Sequence, residues 1–130
     1  MPADVQALSR SLRVLVVDDE FLIADYIALT LQEAGHRVVG TAASVAEALR
    51  VAGTAEIDLA ILDIKLRGDE DGIDLAQRLG PRGIPHLFIS GSRDAAVSPR
   101  ARATKPLAFL QKPFDPARLL AVLAGLGAPA

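Results

Sequence analysis

The stretch Arg13-Val14-Leu15-Val16-Val17-Asp18-Asp19-Glu20 decides how the rest of the chain is read. A short unbroken apolar run that ends in acids suits a strand covered on both faces, as in a parallel sheet. From Phe21 to Ala34 the apolar residues recur at helical spacing, with Ile23, Ile27 and Leu31 on one line and Leu22, Tyr26 and Leu29 beside it. Gly35 then stops the helix. Strand followed by helix is the unit, and the chain repeats it.

Arg37 to Thr41 reads as the second strand. Ser44 caps a helix that runs through Val51, with Glu47 placed to close a capping box. Asp58 to Leu62 is a buried-strand run ending at Asp63, followed by a polar loop, Lys65 to Asp71, and a helix from Gly72 to Leu79. Pro85 to Ile89 is a fourth strand that runs into Ser90-Gly91-Ser92, and Leu107 to Gln111 is a fifth that runs into Lys112-Pro113. Asp115 caps a last helix through Leu123, with Pro116 in the favoured first helical position. Alternation also asks for a helix between Asp94 and Thr104, but Pro99 falls in its middle. A proline there costs ~3 kcal/mol or more through a lost hydrogen bond and a clash, so a short, broken or late-starting helix is expected. The pattern predicts an α/β, flavodoxin-like, doubly wound five-stranded parallel sheet of order 2-1-3-4-5, with five helices, the fourth short or distorted. Residues 1–11 read as an N-terminal tail, 12–125 as one domain and 126–130 as a C-terminal tail.

Composition bounds the chemistry. The chain has 130 residues, 51% of them apolar, enough for a core and against disorder as the main state. Sixteen acids against 14 bases leave a net charge of -2, which argues against a nucleic-acid clamp. Cysteine is absent, which excludes disulfides, thiolate nucleophiles and cysteine-ligated metals. Two histidines, His36 and His86, are too few for a multi-histidine site and read as structural. No apolar run approaches the ~20 residues that span a bilayer, and Met1 to Ser11 lacks the apolar core of a secretory signal. A cytoplasmic location is therefore expected, with neither membrane nor nucleic acid as partner.

In doubly wound sheets ligands bind beyond the carboxyl ends of the strands, where strand order reverses. Strand one ends in Asp18, Asp19 and Glu20, strand three in Asp63, strand four in Ser90 and strand five in Lys112. Two like charges ~4 Å apart repel by roughly 4 kcal/mol at an effective dielectric of 20, so such a cluster needs a counter-charge. Oxygen donors without histidine or cysteine point to Mg2+. Lys112 adds a compact positive charge and Ser90 a hydroxyl for phosphoryl oxygens. A carboxylate beside magnesium can act as a nucleophile and form an aspartyl-phosphate. Asp63, alone at its strand end, is the candidate, and Asp18 and Asp19 are better placed to hold the ion.

Each residue has a plainer reading. Asp18-Asp19-Glu20 alone is an acidic helix start that suits the macrodipole. Lys112 alone is a solvated lysine, Ser90 a strand-end hydroxyl and Phe109 a core aromatic. It is their joint register that favours a site. Asp69-Glu70-Asp71 reads as a solvated loop, and Arg93, Arg100, Arg102 and Lys105 as a wet basic face.

These pieces together resemble a response-regulator receiver domain of two-component signalling, of the stand-alone bacterial type. The matching motifs are Val16-Val17-Asp18-Asp19-Glu20, Leu62-Asp63-Ile64, Asp71-Gly72-Ile73, Phe88-Ile89-Ser90-Gly91 and Phe109-Leu110-Gln111-Lys112-Pro113-Phe114. The resemblance implies that Asp63 accepts a phosphoryl group from a histidine kinase or histidine phosphotransfer protein. It implies that Asp19 binds magnesium directly, Asp18 through water, and Asp63 and the backbone carbonyl of Lys65 beside them. Ser90 and Phe109 would be the switch pair, Gly91 would keep access open, Lys112 would pair with the phosphoryl oxygens, and the Lys112-Pro113 peptide bond would be cis.

Three departures from the family pattern stand out. The Asp63-to-Gly72 loop is one residue longer than the commonest version. Pro99 and Lys105-Pro106 alter the segment before strand five. Lys65 and Ser92 occupy positions that tune self-dephosphorylation. With no output domain expected after residue 130, the output would be an unidentified protein target or a phosphate sink, not turnover of a free substrate. A magnesium-dependent aspartyl-phosphate phosphatase would want an acid two residues after the nucleophile, where Lys65 stands. A flavin module would want a Ser, Thr and Gly loop where Asp18-Asp19-Glu20 would repel phosphate. A receiver-like protein signalling without phosphate fits poorly with intact acids and Lys112.

Overall fold

Five strands alternate with helical segments in a computed structural model that describes residues 11–127. Most of the expected N-terminal tail and the last residues of the C-terminal one lie outside that range. The elements are β1 (Arg13–Val17), α1 (Phe21–Glu33), β2 (Arg37–Ala42), α2 (Val45–Ala52), β3 (Leu59–Asp63), α3 (Gly72–Leu79), β4 (His86–Ser90), α4 (Arg93–Ala96), α5 (Pro99–Ala103), β5 (Phe109–Gln111) and α6 (Pro116–Gly127). The strands are all parallel in the order β2-β1-β3-β4-β5. The doubly wound flavodoxin-like fold expected from the sequence is the one observed.

Every residue of β3 and β4 is buried, as a sheet covered on both faces requires. Successive side chains go to opposite faces. Leu15, Val17, Ala60, Leu62 and Phe88 join α2 and α3 on one side, with Ala101 of α5. Val14, Val16, Leu59, Ile61, Leu87 and Ile89 join Ile27 and Leu31 of α1 and Leu119 and Leu123 of α6 on the other. β5 is shorter at its start than expected, beginning at Phe109 and not Leu107. The ladder nevertheless starts earlier, because the Leu107 N–H donates to the His86 carbonyl at 2.9 Å.

The helix starts are fixed by side chains. Ser44 accepts from the Glu47 N–H, while the Glu47 carboxylate reaches past the cap to the Ala43 N–H, so the expected box closes one residue early. Asp115 accepts from the Ala117 N–H at the start of α6. The fourth helical segment is divided in two. Ser92 caps α4 through the Ala95 N–H, and Ser98 caps α5 through the Ala101 N–H, with Pro99 as the first residue of that new helix. Proline there lacks only an N–H that no helix would bond. The chain leaves α5 through Lys105 at φ 56°, a left-handed position usually filled by glycine.

The long loop after β3 is tied down midway. The Arg67 N–H donates to the Ala43 carbonyl at 3.2 Å, and Gly68 makes the turn at φ 91°. Both histidines, read as structural, have hydrogen-bond partners within the fold. His36 Nδ1 accepts from the Leu12 N–H. His86 is buried beside Phe88, with Nε2 2.9 Å from Thr104 Oγ1. Since that hydroxyl already donates to the Ala101 carbonyl, His86 donates to it. Burial holds both imidazoles below their ordinary pKa.

Candidate functional site

β1 and β3 are neighbours, so Asp18 follows Val17 at the same level at which β3 delivers Asp63. Both carboxylates are buried, at 3% and 5% exposure. Glu20 starts α1 without capping it through its side chain, and its backbone N–H donates to Asp18 Oδ1 at 2.9 Å. β4 brings Ser90, also buried, whose Oγ accepts from the Ser92 N–H at 3.0 Å. After β5 comes Lys112, held by its N–H on the Ser90 carbonyl and followed by a cis bond to Pro113. Asp19, Glu20, Asp63, Lys65, Ser90, Gly91, Ser92 and Lys112 line one cavity of about 420 Å³.

Lys112 Nζ lies 2.8 Å from Asp18 Oδ2, 3.0 Å from Asp63 Oδ2 and 3.3 Å from Glu20 Oε1. One ammonium therefore faces three carboxylates. Burial alone would lower its pKa, but hydrogen bonding and charge from Asp18 and Asp63 outweigh that and raise it. Asp63 moves the other way from a usual aspartate. Burial first and the Asp18 charge second push it up to about 6, against hydrogen bonds from Lys112 and the Lys65 backbone.

The sequence-derived residues Asp18, Asp19, Asp63, Lys65, Ser90 and Lys112 thus come together. Phe109 does not line this cavity. It sits half-buried in β5, in register with Phe88 and packed on the α2–α3 side of the core. Two features escaped the sequence reading. Glu20 shares Lys112, although its position beside Asp19 signalled it. Arg100, read as part of a wet face, instead pairs with Asp71 and Asp74 at the head of α3.

The response regulator receiver domain model matches residues 14–124. The chain belongs to the receiver-domain family. Among curated relatives, this receiver is 36% identical over 104 residues to the transcriptional regulatory protein PdtaR of Mycobacterium tuberculosis, an alignment covering 79% of this chain and 50% of that one. It is 28% identical over 119 residues to the phyllosphere-induced regulator PhyR of Methylorubrum extorquens, covering 90% and 44%. The chain therefore spans about half the length of the curated relatives it matches. Among solved structures, the signal receiver domain of a modulated diguanylate cyclase from Desulfovibrio desulfuricans superposes with a TM-score of 0.82 at 31% identity, covering 91% of this chain and 94% of that one. Among the described residues no helix is long and apolar enough to cross a membrane.

Receiver domains in general bind magnesium, and the donors here suit a hard divalent ion. Carboxylate oxygens of Asp18, Asp19, Glu20 and Asp63 all lie within 4.8 Å of one another. Asp18 Oδ2 is buried and faces the Lys112 ammonium at 2.8 Å. One ammonium among four clustered carboxylates leaves negative charge that a divalent cation could balance.

Proposed function

We propose that this receiver is a phospho-accepting response regulator of a two-component or phosphorelay system, with Asp63 as the acceptor. The observation that carries this reading is the Asp63 carboxylate at the end of β3, buried, open to the cavity and 3.0 Å from Lys112 Nζ. The donor is a phosphohistidine of a histidine kinase or phosphotransfer protein. An Asp63 oxygen bonds to phosphorus as the nitrogen–phosphorus bond breaks, and the imidazole departs with that electron pair.

Asp18 and Asp19, with Asp63 and the Lys65 carbonyl, would hold Mg2+, which supplies positive charge against the phosphoryl oxygens. The chain's own groups do the rest. Lys112 is already gathered to the reacting carboxylate and can turn its ammonium to the incoming oxygens. Ser90 Oγ uses an acceptor lone pair on the Ser92 N–H, which leaves its hydroxyl proton to donate. The aspartyl-phosphate carries roughly 1.5 to 2 negative charges where the Asp63 carboxylate carried one. Drawing Ser90 and Lys112 toward it would pull on β4 and β5, where Phe109 stands, and change the surface there. Output passes to another protein or ends as a phosphate sink.

The test is phosphate incorporation from a small phosphodonor with magnesium, comparing wild type with Asp63→Asn. Wild type is expected to take up label and the variant none. Equal labelling of both proteins would remove Asp63 as the acceptor.

A further inference from the structure

The backbone of Asp63 touches the first residue of α3. A Cβ built on Gly72 would lie 2.1 Å from the Asp63 carbonyl oxygen and 2.9 Å from its carbon. The Gly72 N–H donates to the Ile64 carbonyl at 2.7 Å. Whatever holds the head of α3 therefore holds the peptide unit of the acceptor.

That head is held twice. Asp71 and Asp74 form a reciprocal capping box, each carboxylate accepting from the other's N–H at 2.9 Å. Two carboxylates this close repel, and Arg100 of α5 neutralises both. Its Nη1 lies 3.1 Å from Asp71 Oδ2, and its Nη2 lies 3.0 Å from Asp74 Oδ1. The guanidinium fork spans the two acids as an ammonium could not. Burial pushes Asp71 up, but the Asp74 N–H and Arg100 outweigh it and hold the carboxyl below its ordinary range.

We propose that Arg100 is a positioning residue for phosphoryl transfer, acting through the Asp71–Asp74 cap and Gly72 on the backbone of Asp63. The proposal rests on Asp63 being the acceptor. Arg100 touches no reacting atom. It keeps the cap closed, the cap keeps Gly72 on the Asp63 carbonyl, and that contact limits the directions in which the carboxylate can be aimed. The same ion pairs join the acceptor loop to α5, so the two segments are thermodynamically coupled in both directions.

The experiment is the rate of phosphate uptake from phosphoramidate with magnesium by wild type, Arg100→Gln, Arg100→Lys, Asp74→Asn and the Arg100→Gln/Asp74→Asn double variant. Thermal unfolding confirms that each is folded at the assay temperature. Since exposed ion pairs are weak, the expected effect of Arg100→Gln is a fall of about 2- to 5-fold in the saturated rate. The half-saturating donor concentration stays unchanged. Arg100→Lys returns part of the rate, and the double variant is no slower than the worse single one. A lower unfolding midpoint with an unchanged uptake rate overturns the positioning role, as does a change confined to half-saturation. A wild type that takes up no phosphate overturns the Asp63 reading and the positioning role together. Uptake at equal rates by wild type and Arg100→Gln overturns only the second.

Discussion

Asp18, Glu20 and Asp63 gather round one ammonium, that of Lys112, whereas the acids at the head of α3 share two guanidiniums. Arg78 pairs with Glu70, and Arg100 with Asp71 and Asp74. The second group also uses its oxygens on backbone N–H groups of the capping box. The two groups lie at either end of the same loop, yet one carboxylate is pushed up to about 6 and another is held down. The difference lies in burial and in the number of cations shared among the acids. An acid supplied with its own donors stabilises a helix end. Acids crowded round a single cation are under electrostatic stress and respond strongly to any added positive charge.

That contrast breaks if Lys112 proves dispensable. Replacing it with methionine leaves buried carboxylates without their cation and should cost about 2–4 kcal/mol in magnesium-free urea unfolding at pH 7. Added magnesium should restore part of the loss. Next in size, Asp63→Asn should stabilise the metal-free protein at pH 7 by about 1–2 kcal/mol, allowing for solvent screening. The sign follows from a folded pKa of about 6 against 3.8 unfolded. Between those values the folded form keeps a proton that the unfolded form has lost. Stability therefore falls as pH rises through that window, and the advantage of asparagine should vanish below it. Unfolding midpoints of both proteins from pH 3.5 to 7.5 measure this. No pH dependence in the difference would mean that Asp63 is not under stress.

The α3 group should give smaller, magnesium-independent effects. Asp71→Ala loses a cap and should cost about 1 kcal/mol, read from urea midpoints with and without magnesium. Smallest is Arg78→Gln, where an exposed ion pair to Glu70 should be worth about 0.5 kcal/mol or less. A loss as large as that for Lys112→Met would erase the distinction between the two groups.

The fold was legible because its signals are local. Unbroken runs such as Val14–Val17 and Leu59–Leu62 could only be covered strands, and acids or hydroxyls at their carboxyl ends had to share one rim of the sheet. Ser98-Pro99 was legible too, as a cap followed by a first-turn proline, yet alternation drew attention to a helix through it. Asp71 with Asp74 is likewise a cap pattern with aspartate where glutamate is usual. Arg100 could not be read in advance, because its partners lie 26 and 29 residues away. Nothing in a local pattern says which acid a surface arginine will meet. The expectation of a solvated Asp69-Glu70-Asp71 loop failed in part for the same reason.

Dividing the fourth helical segment leaves α5 with five residues and one buried side chain among them, Ala101. So little covered area stores little resistance to opening, and amide protons there should exchange well before those of β3 or β4. Small local rearrangements on that side need not wait for the domain to melt. A protein docking there would meet a surface soft enough to be moulded by contact, carried by a sheet that is not.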